Sequence, residues 1–131
     1  MSFSYLASHY SSPDPEIVQT RFLAAEAATA WCLRHSLWVY SPIVHCHALC
    51  EAYQMPSDAE FWKEYNFAML ARSSKLLLLN IDGWKESKGV AAEIAEAYRL
   101  HLPIRLITPR SQYVPPTYIF SSFEQHELEQ L

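Results

Sequence analysis

The sequence predicts an α/β protein, an open parallel sheet of four to five strands with helices on both faces. Three observations lead there. Short apolar runs alternate with longer segments of helical periodicity along the chain. One of those runs, Lys75 to Ile81 with Leu76-Leu77-Leu78-Leu79 inside it, is apolar without alternation. A strand covered on both faces must read that way. Finally, Asp14-Pro15, Ser57-Asp58 and Ser87 stand where helices would start.

Taken in order, Phe3 to Ala7 reads as a first strand, closed by Ser8-His9-Tyr10-Ser11-Ser12-Pro13. Asp14 then caps a helix with Pro15 in its first turn, and Val18, Phe22, Ala25, Ala28 and Cys32 form its apolar stripe. Leu37 to Tyr40 is a second strand, stopped by Ser41-Pro42. Ile43 to Tyr53 fits either a short helix or an irregular loop. A helix from Pro56-Ser57-Asp58 carries Phe61, Tyr65, Ala68, Met69 and Arg72 at helical spacing. The leucine strand follows, then a helix from Ser87 to Leu100, then a fourth strand from Pro103 to Thr108. The tail, residues 109–131, gets no assignment. This is a Rossmann- or flavodoxin-like order, and its ligands belong beyond the carboxyl ends of the strands. The loops at Ser8 to Ser12, Ser41 to His47 and Asp82 to Gly89 are therefore the places to look.

Composition narrows the function. At 131 residues, half of them apolar, the chain suits one domain with a real core. Its net charge is −4 and its ten basic residues form no run, which argues against duplex nucleic acid as the main partner. No stretch approaches the roughly 20 apolar residues of a membrane span, and the start lacks a basic leader. Three cysteines, Cys32, Cys46 and Cys50, make no secreted framework. They read as reduced thiols, so the expected compartment is the cytoplasm.

Glycine usage points to one loop. The chain has eight prolines but only two glycines, Gly83 and Gly89, and both lie in Gly83-Trp-Lys-Glu-Ser-Lys-Gly89. A buried strand ends there and a helix begins near Ser87. Free backbone N–H groups and the positive end of the helix dipole make such a start an anion site. Glu93 lies one turn further in, among the small or apolar Gly89, Val90 and Ala97, while Glu96 sits beside Arg99. A carboxylate so placed can act on a sugar attached to a phosphate held at the helix start. Spacing alone equally allows Ser87 to be a simple cap and Glu93 a surface residue.

Three segments together carry a resemblance: Tyr5-Leu-Ala-Ser8 at the start, Ser41-Pro42-Ile-Val-His45-Cys-His47, and Ser87-x-Gly89-x-x-x-Glu93 after Asp82-Gly83-Trp84. In this order they resemble the nucleoside 2-deoxyribosyltransferase superfamily over about residues 3–108. More narrowly, they resemble short bacterial and phage relatives catalogued as a domain of unknown function. The resemblance implies that Glu93 attacks the anomeric carbon and forms a glycosyl ester, with net retention. It places Tyr5 at the base of the sugar pocket. It also implies a phosphate at Ser87, as in the branch that hydrolyses deoxynucleoside 5′-monophosphates; the transferases acting on free nucleosides have Asp there. Two positions depart from the pattern. The family's second carboxylate falls on Asn66, an amide that can hold a base but cannot shuttle a proton. The phosphate-binding arginine of the first loop falls on Ser11. Asp82 or Asp58 is the candidate substitute for the acid, and Arg21 for the cation.

The expected site therefore has Glu93 and Asn66 as its catalytic side chains. Tyr5, Ala7, Ser8, His9, Pro42, His45, His47, Asp82, Gly83, Trp84, Ser87 and Gly89 are expected to bind the substrate. His45-Cys46-His47 with Cys50 lacks the paired spacing of a zinc site, so no metal and no cofactor are expected. Its histidines fit either a pocket wall or plain structural roles. Trp84, between the glycines, fits either a lid over a base or a buried anchor. The expected partner is a small nucleotide, and by analogy a further copy of the chain in a homo-oligomer. Two other readings stay open: a nucleotide-binding protein with weak catalysis, and an oligomeric interaction module.

Overall fold

The computed structural model describes residues 2–110 and 115–123. In chain order it runs β1 (Ser4–Ala7), α1 (Pro15–Arg34), β2 (Val39–Tyr40), α2 (Pro42–Tyr53), α3 (Ala59–Ala71), β3 (Lys75–Leu79), a 3-10 turn at Trp84–Glu86, α4 (Lys88–Arg99), β4 (Ile104–Arg110) and β5 (Thr117–Ser122). The strands form one sheet in the order β2-β1-β3-β4-β5. The first four are parallel and β5 returns antiparallel along β4. This is the expected α/β class. The ambiguous segment after Ser41 is helical, and an extra strand lies in the part of the tail that is described.

Side-chain alternation on the strands sorts the core into two layers. Leu76 and Leu78 of β3 join Tyr5 and Ala7 of β1 on the face covered by α3 and α4, with Leu70, Val90, Ile94 and Ala97. Leu77 and Leu79 face the other way with Leu6 and meet α1 through Ala28 and Cys32. Leu76, Leu78 and Leu79 are fully buried, which explains why the run of leucines shows no polar alternation. A smaller cluster of Tyr10, Ala25 and Ile43 joins α2 to α1.

Each α-helix opens on a side-chain cap. Asp14 accepts from Glu16 N, Ser41 from Val44 N, Asp58 from Phe61 N and Ser87 from Val90 N, all at 3.0–3.1 Å. At the other ends the shortage of glycine shows. Ser36, Gln54 and His101, which follow α1, α2 and α4, take φ of 59°, 55° and 58°. Glycine usually fills that left-handed position. Among the described residues, no helix is long and apolar enough to cross a membrane.

The chain leaves β1 toward β2 on one side and reaches β3 on the other. Loops after β1 and β3 therefore diverge, and a crevice opens at the carboxyl ends of the two strands.

Candidate active site

The crevice is a cleft of about 500 Å³. One wall is the loop after β1, from Ser8 to Ser11. The rest comes largely from the first turns of three helices: Pro42 and Ile43 of α2, Ser57 to Glu60 at the start of α3, and Ser87 to Val90 at the start of α4. Three helix N-termini thus meet one space, and each brings backbone N–H groups and a positive partial charge. On α4, Val90 N is taken by Ser87 Oγ and Ala91 N by Ser87 O. The Ser87 hydroxyl hydrogen is still able to donate while its oxygen caps the helix.

Glu93 lies one turn into α4 and lines this cleft. It is half-buried, and its carboxylate accepts a hydrogen bond from the Tyr5 hydroxyl. Tyr5, on β1, is fully buried. Burial, and next the Glu93 charge, hold its phenol far above the ordinary tyrosine range; it therefore remains a donor. Burial pushes the Glu93 carboxyl up to about 7, opposed by the Tyr5 hydrogen bond. The sheet thus presents, from below, a fixed donor to a carboxyl group whose other side opens on the cleft.

The two glycines differ in kind. Gly83 sits at φ 83°, and a Cβ there would meet the His9 ring at 3.0 Å, so both backbone and close approach exclude a side chain. At Gly89 a Cβ would find only Ala59 Cβ at 3.5 Å and Ser87 Oγ at 3.9 Å, which are ordinary contacts. Nothing in the chain's own packing requires glycine at position 89. Ser8 adds a second unexplained feature. It is buried, it lines the cleft, and its hydroxyl has no hydrogen-bond partner. An unpaired buried hydroxyl costs about 1–3 kcal/mol unless something satisfies it.

Of the residues singled out in the sequence, Ser8, His9, Pro42, Asn66, Ser87, Gly89 and Glu93 line the cleft together. Tyr5 reaches it through Glu93. Ala7 is fully buried in the sheet behind it. Asp82, Gly83 and Trp84 line a separate hollow of about 280 Å³ beside it. Trp84 is buried there, its indole N–H donating to Asn80 Oδ1 at 3.0 Å and its ring against Phe123. It anchors the loop. His45 is exposed and stacks on Tyr65, the ring centroids 5.4 Å apart. His47 is buried between Phe22 and Tyr10. Arg21 is tied to Ser11 O at 2.7 Å, and Asp58 lines the cleft while capping α3. His9 is held below the ordinary histidine value, first by burial and then by Arg21.

Tyr10, Trp62, Lys63 and Lys88 also line the cleft; the sequence reading did not single them out, although Tyr10 and Lys88 lie in loops it marked. Lys63 was within reach, since it lies three residues before Asn66 on the same helix face. Lys88 stands between Ser87 and Gly89. Among the described residues, no group of three or more His, Cys, Asp or Glu side chains is placed to hold a metal ion.

Comparison with known proteins gives one family. Among curated proteins no relative matches the chain. A family described as a domain of unknown function (DUF1937) matches residues 2–108, a span that contains β1 through most of β4 and every residue lining the cleft. On that match the chain belongs to the DUF1937 family.

Proposed function

We propose that the protein cleaves the N-glycosidic bond of a nucleoside 5′-monophosphate, or transfers its deoxyribosyl group, with Glu93 as the nucleophile. One observation carries the reading: a half-buried carboxyl, held by a buried tyrosine, faces a cleft into which three helix N-termini open. The phosphate would sit at the start of α4, against the Ser87 hydroxyl and in the space that Gly89 leaves free. That places the sugar one helical turn away, over Glu93. The Glu93 oxygen attacks C1′, the bond to the base breaks, and a glycosyl ester forms. Water then attacks the same carbon and releases the carboxylate. Because Tyr5 donates to one carboxylate oxygen, the other is left to attack. The cleft of about 500 Å³ falls within the range usual for small-molecule sites.

Asn66 favours a second reading. It lines the cleft as an amide, and a site without a proton donor there would bind a nucleotide and turn it over slowly. One experiment separates the two. Deoxynucleoside and ribonucleoside 5′-monophosphates are screened for release of free base, with Glu93→Gln run beside the natural chain. Release that depends on Glu93 supports the glycosidase. Binding of a monophosphate without release supports the second reading, and neither binding nor release ends both.

A further inference from the structure

The leaving base needs a proton, and Asn66 cannot supply it. A different set of side chains runs from the cleft to solvent. Tyr10 forms part of the cleft wall and is otherwise buried. Its hydroxyl lies 2.7 Å from Nδ1 of His47, a buried imidazole stacked on Phe22 with centroids 4.0 Å apart. The other ring nitrogen of His47, Nε2, lies 3.9 Å from Glu51 Oε1, one turn along α2, and the Glu51 side chain is 70% exposed. A phenol, an imidazole and a carboxylate thus form an ordered row with one end in the cleft and the other in water. A phenol held in a buried pocket is a weak acid alone, and burial pushes Tyr10 up to about 12. An imidazole that refills it as it donates removes that difficulty.

We infer that Tyr10, resupplied through His47 from the Glu51 side, is the proton donor to the departing base. This rests on the glycosidase reading proposed above. With hydrogen on Nδ1, His47 donates to the Tyr10 oxygen, and the Tyr10 hydrogen is free to point into the cleft. When Glu93 attacks C1′, the electron pair of the breaking C1′–N bond passes to the base. The base takes the Tyr10 proton, Tyr10 takes the Nδ1 proton of His47, and Nε2 takes one from a water at the exposed Glu51 end. In the second step water attacks C1′ and gives its proton to Tyr10, the Tyr10 proton returns to Nδ1 of His47 and Nε2 releases its own to solvent, while the ester bond breaks and the Glu93 carboxylate is restored. Nucleotide plus water gives sugar phosphate plus protonated base, and the row ends as it began. In these terms Tyr10 is a catalytic residue and His47 a positioning residue.

The test uses leaving groups that differ in their need for a proton. A base quaternised by methylation departs as a neutral molecule and needs none. Base release is measured from 2′-deoxyguanosine 5′-monophosphate and from its N7-methyl derivative, for the natural chain, Tyr10→Phe, His47→Asn and Glu93→Gln. In Tyr10→Phe the ratio of methylated to unmethylated rates should rise about 100-fold, the low end of what a positioned acid contributes. His47→Asn keeps a donor toward Tyr10 but cannot relay a proton, so the ratio should rise there too, with a thermal midpoint showing that the chain is folded. Glu93→Gln should lose release from both. Equal losses on the two substrates, or no loss on either, in Tyr10→Phe and His47→Asn would overturn the relay while leaving the nucleophile standing. Release that survives Glu93→Gln, or no enzymic release from any monophosphate of the screen described above, would instead remove the glycosidase reading and the relay with it.

Discussion

Glu93 and Glu96 lie three residues apart on α4, yet their surroundings give them opposite character. Glu96 is held by Arg99 through two hydrogen bonds of 2.8 and 2.6 Å, and these keep its carboxyl below the ordinary range. Glu93 turns toward the sheet, where its partner is a neutral phenol and burial is the larger influence, so its carboxyl is raised. Both residues are half-buried, but one carboxylate is neutralised by a cation. The other faces the cleft without one. The difference shows that sequence neighbours do not set the chemistry of a helical carboxylate; the face it occupies does.

The largest effect is expected from Glu93→Gln. This change keeps shape and the Tyr5 hydrogen bond but removes the attacking oxygen's charge. Free-base release should fall by about 10³-fold or more while monophosphate affinity stays within a few-fold. Release near the natural rate would put the chemistry elsewhere. Next in size is the pH dependence. Only the ionised carboxylate attacks, so kcat/KM should rise about tenfold per unit as pH approaches 7 from below, and level off above it. An acidic limb centred near the ordinary value of 4.5 would mean that burial does not govern this group.

Stability should move the other way. Because its folded pKa is raised from 4.5 to about 7, Glu93 binds a proton more readily folded than unfolded. Its favourable contribution is complete below 4.5 and is lost as pH rises through 7. Above that, burying the charge costs on the order of 3 kcal/mol. Glu93→Gln should therefore raise the urea midpoint at pH 8 and leave it nearly unchanged at pH 4. A variant that is less stable at pH 8 would count against an enclosed, unpaired charge.

Gly89→Ala gives a smaller effect with two signs. The added methyl meets only ordinary contacts, so stability should hold or gain about 0.4–1 kcal/mol. If a phosphate rests against that position, its affinity should drop roughly tenfold, or about 1.4 kcal/mol. Unchanged affinity would move the phosphate elsewhere. The smallest effect belongs to Glu96→Gln, which should alter neither turnover nor affinity, since Glu96 does not line the cleft.

Much of this architecture could be read without coordinates. The unbroken Leu76 to Leu79 run identifies the central strand because both faces of β3 are covered, and Asp14, Asp58 and Ser87 mark helix starts because their oxygens cap them. β5 was not legible, since it contributes only one buried residue, Tyr118, with Phe120 half-buried beside it, and follows two prolines. α2 stayed ambiguous because both faces are used, with Cys46 and His47 buried and His45 exposed between buried and half-buried neighbours. Within the cleft, Ser87, Gly89 and Glu93 share one helix and their spacing is visible. The Tyr5–Glu93 bond spans 88 residues, and the Tyr10–His47 pair spans 37. Only the packing of β1 under α4, and of α2 against α1, brings those partners together. Trp84 was undecided for the same reason, since its ring packs against Phe123, far along the chain.

Ser36, Gln54 and His101, the left-handed residues that follow three of the helices, amount to a reserve of unclaimed stability. A side chain there crowds its own backbone, and glycine would relieve about 0.5–1 kcal/mol at each. The three sites belong to different helix ends, so their gains should add. A chain carrying all three glycines would tolerate the more disruptive variants, His47→Asn above all, without unfolding. Loss of turnover in that background then reports on the chemistry alone.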